Sequence, residues 1–148
     1  MGATIRWLGD RVQADLHRTI DSALQRAAAL VMTQARLACS RPAKRIRVKR
    51  KRTTSAGPKG SQYTIFIGSR PGEPPMVRTS FGRRNILMEY HPDSKVARVG
   101  PAANAAYMAY LELGTERIAP RPWLKPTLDR CRSAIDTLLR TALEAHGR

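Results

Sequence analysis

Residues Ala106–Pro126 read AYMAYLELGTERIAPRPWLKP. Tyr107, Tyr110, Leu111, Leu113, Ile118 and Trp123 crowd into this span beside Gly114, Pro120, Pro122 and Pro126. The pattern is that of a folded elbow. A helix over Ala102–Leu113 ends at Gly114, which suits the left-handed position just past a helix C-terminus. A proline-stiffened loop follows and feeds the last helix. Such an elbow has two explanations, a catalytic loop or a structural clasp that fixes a subunit in an assembly.

Downstream, the spacing predicts a helix from about Trp123 or Pro126 to Ala145, with Leu124, Leu128, Cys131, Ile135, Leu138, Ala142 and Leu143 on one face. Pro122 suits a first helical position, whereas Pro126 clashes with the fourth carbonyl before it in a regular helix. A kink, or a restart at Pro126, is expected. At the other end of the chain, Leu16, Ile20, Leu24, Ala27, Ala28, Val31 and Ala35 form the apolar stripe of a helix from about Asp10 to Ala38. Asp10 and Gln13 resemble a capping box. Gly9 is unfavourable inside a helix, so Ile5–Leu8 is assigned to a separate or frayed turn. Pro42 stops the helix near Ser40.

Between the helices, Gln62–Ser69 has strand composition. The strands NILMEYH and KVARVG are joined at PDS and read as a hairpin. Arg70–Ser80 is an extended link, and Thr79 or Ser80 caps a short helix through Arg84. Two amphipathic helices need an apolar surface, and a small antiparallel sheet supplies it. The expected fold is α+β, one domain over residues 1–148: a small antiparallel sheet packed by a long N-terminal and a long C-terminal helix. An extended basic arm or hairpin at residues 41–60 completes it.

The arm carries the strongest bulk signal. The 148 residues have a formal net charge of +16, and nine of the 27 Lys and Arg lie between Arg41 and Lys59 with no acid among them. A surplus this large calls for an anionic partner: nucleic acid, an anionic membrane or an acidic protein. Ile46 and Val48 alternate with Arg and Lys, so a strand is possible, but the charge density favours a mobile arm or an extended hairpin. Lys44, Arg45, Arg47, Lys49, Arg50, Lys51 and Arg52 are the candidate contacts to DNA or an acidic partner. No stacking aromatic interrupts them before Tyr63, so DNA contact is expected through phosphates, without sequence preference. A membrane-surface role is disfavoured, because the helix faces mix both charge signs and the basic run lacks an apolar face. No stretch has the roughly 18 apolar residues of a membrane-crossing helix, and the N-terminus lacks a secretory apolar run.

Catalytic motifs are missing from the sequence. His17, His91 and His146 are scattered, and the acids Glu73, Glu89, Glu112 and Glu116 form no catalytic pair. Phosphate-loop, zincin, nucleophile-elbow and dinucleotide fingerprints do not occur. No enzyme activity, cofactor or metal is expected. Cys39 and Cys131 lie in no metal spacing and read as reduced, helix-borne packing residues, which suits an intracellular origin. Glu112, bracketed by Leu111 and Leu113, reads either as a helix-face acid near Arg117 or as an anchor for a neighbouring subunit's cation.

The elbow also carries a resemblance. Tyr107, Tyr110, Glu112, Gly114, Thr115, Pro120, Pro122, Trp123, Leu124 and Pro126 match the C-terminal signature of the tailed-bacteriophage neck and tail-completion proteins, which join head to tail. Leu113 stands where that family usually has an aromatic residue. RPGEPPMVRTSFGRRNI resembles the family's second block, with Ser80 replacing a frequent Gly. The likeness spans about Arg70–Leu128, and the arm is long for the family. The resemblance implies a non-enzymatic virion subunit in the neck or at the head-proximal end of the tail (a neck, tail-completion or tail-terminator protein), assembled in the host bacterial cytoplasm. It implies a homo-oligomeric ring, a hexamer or alternatively a dodecamer, around a channel for double-stranded DNA. Neighbouring neck, portal-side adaptor and tail-tube proteins would be its partners, with no membrane involved. Tyr107, Tyr110, Glu112, Gly114, Thr115, Pro120, Pro122, Trp123 and Pro126 would form the subunit-interface clasp. The alternative is a free basic protein that binds nucleic acid without sequence preference.

Overall fold

The computed structural model describes residues 9–49 and 62–146. Arg50, Lys51 and Arg52 of the arm, and the turn assigned to Ile5–Leu8, lie outside the described residues. The elements run α1 (Gly9–Ala38), β1 (Lys44–Lys49), β2 (Gln62–Ile67), α2 (Phe81–Arg84), β3 (Ile86–His91), β4 (Val96–Pro101), a 3-10 turn at Ala103–Ala105, α3 (Tyr107–Leu113) and α4 (Lys125–His146). The fold is α+β, with two long helices packed together and a small antiparallel hairpin, β3–β4, against α1.

Small residues let α1 approach its neighbours closely: Ala23, Ala27, Ala28, Val31 and Ala35 are buried. The centre of the core gathers Ala35, Cys39, Ile86, Ala105, Met108 and Trp123, with Met32, Val99, Leu111 and Leu124 packed around it. Each large side chain buried here removes apolar surface worth about 1.5–3 kcal/mol. Burial pushes the Cys39 thiol up to about 12, with the charge of Glu112 adding to the effect. The Arg36 guanidinium ties α1 to the hairpin by donating from Nε (3.1 Å) and Nη2 (2.7 Å) to the Ile86 carbonyl. At the hairpin's far end Tyr90 (2.5 Å) and Lys95 (2.6 Å) both donate to Asp21 on α1. Lys95, then Tyr90, hold the Asp21 carboxyl below its usual value.

Several local expectations change. Gly9 is already helical, so Asp10 sits inside the first described turn of α1 instead of capping it. There its charge still faces the positive end of the helix dipole. The helix over Ala102–Leu113 divides into a 3-10 turn and α3. The last helix, by contrast, starts where the expected restart put it, at Lys125, so Pro126 lies in the first turn, where a missing N–H costs no intrahelical bond.

Of the two forms expected for the arm the described part takes the hairpin, and the change is in its faces. β1 pairs with β2 as a two-stranded antiparallel ribbon, in a sheet separate from β3–β4. The register sets Ile46 opposite Ile65, Val48 opposite Tyr63 and Lys44 opposite Ile67 on one face. Arg45 opposite Phe66, Arg47 opposite Thr64 and Lys49 opposite Gln62 make the other. The described part of the basic run therefore does have an apolar face, completed by β2, and Tyr63, Ile65 and Ile67 on it are exposed. A basic face lies behind it, where the Arg45 and Arg78 guanidiniums approach the Phe66 ring at 5.6 and 4.7 Å from its centroid. The ribbon's base is held by the link: Val77 donates to the Arg41 carbonyl (2.8 Å) and Ala43 to that of Val77 (3.0 Å).

Ser80 precedes α2 with φ 60° and ψ 0°, the left-handed region, and its side chain makes no capping bond. The expected cap is reduced to a long contact of 3.5 Å from the Phe81 N–H to Thr79 Oγ1. Gly82 lies so close to Met108 that an added Cβ would meet its sulfur at 2.6 Å. The left-handed backbone costs a non-glycine residue about 1–2 kcal/mol, partly offset by the greater freedom of glycine in the unfolded chain. Ser80→Gly is therefore expected to stabilise the protein by up to about 1 kcal/mol, read as a higher urea midpoint with an unchanged slope.

Candidate functional site

The elbow is built around one carboxylate. Glu112, near the end of α3, accepts hydrogen bonds from three consecutive backbone N–H groups of the chain entering α4. Oε2 takes Trp123 (2.6 Å) and Leu124 (2.9 Å), and Oε1 takes Lys125 (2.9 Å). The first N–H groups of a helix have no partner within it. Here Glu112 satisfies those at the start of α4, Pro126 has none to satisfy, and the negative charge sits at the positive end of the α4 dipole. This is an N-terminal cap supplied from another helix. Glu112 is thus neither the free helix-face acid nor the outward anchor that its flanking leucines suggested. Its two oxygens are occupied within its own chain.

The rest of the motif holds that cap in register. Gly114 has φ 79° and ψ 172°, beyond the left-handed helical region and in territory open only to glycine. A Cβ there would meet Pro120 at 3.0 Å. Thr115 and Ile118 exchange backbone bonds, Thr115 N–H to Ile118 (2.9 Å) and the return bond at 3.2 Å, closing the loop. The Thr115 hydroxyl also accepts from Ile118 N–H at 3.2 Å. Arg121 N–H donates to the Leu111 carbonyl (2.6 Å), which lays the descending strand of the elbow against α3. Trp123 then enters the core, 1% exposed, its indole N–H donating to the Met108 carbonyl at 3.0 Å. Thr127, equally buried, donates to the Trp123 carbonyl at 2.6 Å. The link joins as well: Gly72 N–H donates to the Pro120 carbonyl at 2.9 Å. The two sequence blocks that carried the resemblance therefore touch.

The nine residues expected in a clasp separate into two groups. Glu112, Gly114, Thr115 and Trp123 work inside the chain, and Trp123 projects toward no neighbour, because burying its indole satisfies both its apolar area and its N–H. Pro120 and Pro122 shape the descending strand, and Pro126 opens α4. Tyr107 and Tyr110 are 45% and 60% exposed. With Leu113, 80% exposed, they recur every three residues and make an outward stripe on α3. Leu113, outside the nine residues of the expected clasp, is the most exposed large apolar side chain of the elbow. Its signal was its place three residues after Tyr110. Arg121 Nε is buried and makes no hydrogen bond among the described residues.

Of the cationic candidates, Arg45, Arg47 and Lys49 share the ribbon's basic face, whereas Lys44 falls on the apolar one. His17 lies on α1 and His91 at the end of β3. Among the described residues no cluster of His, Cys, Asp and Glu could hold a metal ion, and no helix is long and apolar enough to cross a membrane. Both cysteines are free and buried, Cys131 on α4 and Cys39 just past the end of α1. No protein-family model, curated protein or solved structure matches the chain.

The Glu112 cap should dominate the stability of the elbow. Glu112→Ala leaves three amides, two part-buried and one exposed, without their acceptor and is expected to cost about 1–3 kcal/mol in urea unfolding. Glu112→Gln keeps one of the two acceptor oxygens, sets an NH2 donor where the other accepted, and removes the charge, so about 1–2 kcal/mol is expected. A loss below 0.5 kcal/mol in the alanine variant would contradict this account of the elbow.

Proposed function

We propose that the protein is a structural subunit of the tailed-bacteriophage neck, a head–tail joining or tail-completion protein. It forms a closed homo-oligomeric ring in the virion around the DNA channel and catalyses no reaction. The observation that carries this reading is the exposed stripe Tyr107, Tyr110 and Leu113, mounted on an elbow whose Glu112 carboxylate and Trp123 indole N–H are satisfied internally. An apolar surface held this rigidly loses little conformational entropy on docking, and apolar exposure of this kind is typical of interfaces. The stripe and the ribbon are different surfaces, so contacts between copies through them would be head-to-tail, the geometry that closes into rings. A hexamer is the expected state, a dodecamer the alternative. Portal-side adaptor, tail-tube and other neck proteins would flank the ring, and the ribbon's cations would face DNA or an acidic neighbour.

The test is the assembly state of the purified protein by native mass spectrometry and electron microscopy. A ring is expected, and Leu113→Glu should dissociate it while leaving the circular dichroism spectrum unchanged. A monomer that is also absent from virions would refute the proposal. The second reading, a free nucleic-acid-binding protein, is favoured by the basic face of the ribbon. It requires the monomer to bind DNA with a steep salt dependence that disappears when Arg45, Arg47 and Lys49 are neutralised together.

A further inference from the structure

A second cationic feature lies away from the ribbon, where the end of α1 meets α2. Thr33, Arg36, Leu37, Ser40, Arg83 and Arg84 line a concavity of about 330 Å³. Arg36 is held by its two bonds to the Ile86 carbonyl. Arg83 Nη1 donates to Ser40 Oγ at 3.2 Å, and that hydroxyl donates in turn to the Arg36 carbonyl at 2.7 Å. Two of the guanidiniums are therefore positioned before any ligand arrives. Arg84 is exposed. Among the described residues no carboxylate lies within ion-pair distance of the three arginines.

The C-terminal end of α1 offers an ordinary explanation for cations here. A helix terminus supplies only about half a negative charge, which leaves most of three positive charges uncompensated. Like charges converging on a hollow are unfavourable unless an anion enters it. A planar carboxylate is matched by one guanidinium in a two-pronged pair, whereas a phosphate presents oxygens in several directions and suits several guanidiniums at once. We infer that Arg36, Arg83 and Arg84 form a phosphate-binding site, with Ser40 holding Arg83 in place. The phosphate comes either from a nucleic-acid backbone or from a free phosphate ion. The inference does not depend on ring formation, and it assigns a role to the RTSFGRRN segment that the elbow leaves unused.

The test compares thermal unfolding of the full chain in sodium phosphate and in sodium chloride at matched ionic strength. Phosphate should raise the melting temperature by about 3 °C, and the rise should vanish in Arg84→Gln and in the Arg83→Gln/Arg84→Gln pair. The Arg84 side chain makes no hydrogen bond or ion pair to another described residue, and its backbone bond to the Ser80 carbonyl is untouched by the substitution, so its single variant keeps the test valid if the pair folds poorly. Lys44→Gln/Lys49→Gln, on the ribbon, should retain the rise. No difference between the salts, or an equal rise in the arginine variants, would overturn the site. Binding of a duplex of arbitrary sequence then distinguishes the sources. A salt slope reduced by about 0.9 per removed arginine assigns the phosphate to the DNA backbone. An unchanged slope with the phosphate effect lost assigns it to the free ion.

Discussion

Three amide N–H groups of the chain entering the last helix converge on the two oxygens of Glu112, and the elbow depends on that meeting. The carboxylate sits on α3 and the amides on the segment that becomes α4, so one set of bonds fixes the angle between two helices. Trp123 carries the first of those amides, and the same geometry aims its indole into the core against Met108. A helix start with its amides unmet would be unfavourable this close to a buried tryptophan. The proline at Pro126 reduces the demand by removing one donor, and the glycine at Gly114 permits the backbone reversal that brings the two ends together.

With Glu112 and the Trp123 indole N–H satisfied internally, the apolar exposure of the elbow stands out. Tyr110 and Leu113 are exposed, and Tyr107, half-exposed, lays its hydroxyl end against Gly82 of α2. The ribbon repeats the arrangement in β form, with an apolar face on one side and cations on the other. A two-stranded ribbon alone is marginal in water. Here its base is tied to the link at Val77, and Arg45 and Arg78 cover the Phe66 ring. These features fit a subunit that completes its packing against other molecules, which is the sense of the proposed ring.

The charge surplus is likewise not uniform. The ribbon presents a basic face in the open. The arginines at the end of α1 instead surround a hollow and are partly immobilised by a carbonyl and a hydroxyl. The first arrangement suits contact with an extended anionic surface, and the second suits a single anionic group.

The sequence by itself determined the elements that repeat with a regular period. The two long helices, the β3–β4 hairpin and the break at Gly114 follow from spacing, because apolar periodicity and backbone sterics are local properties. So does the α+β class, since two amphipathic helices and a short hairpin have few ways to cover one another. The partners of Glu112, and the Met108 carbonyl that receives the Trp123 indole N–H, were decided by the tertiary structure. Flanking leucines made Glu112 look like an outward anchor, and nothing local to it marks the amides that lie more than ten residues further along the chain. The apolar face of the basic run was hidden for the same reason: Ile46 and Val48 form a face only when the register supplies Ile65 and Tyr63. The Arg36, Arg83 and Arg84 cluster unites residues separated by more than forty positions. Local periodicity reports which side of an element is apolar, but only the folded chain decides what that side, or a charge beside it, meets.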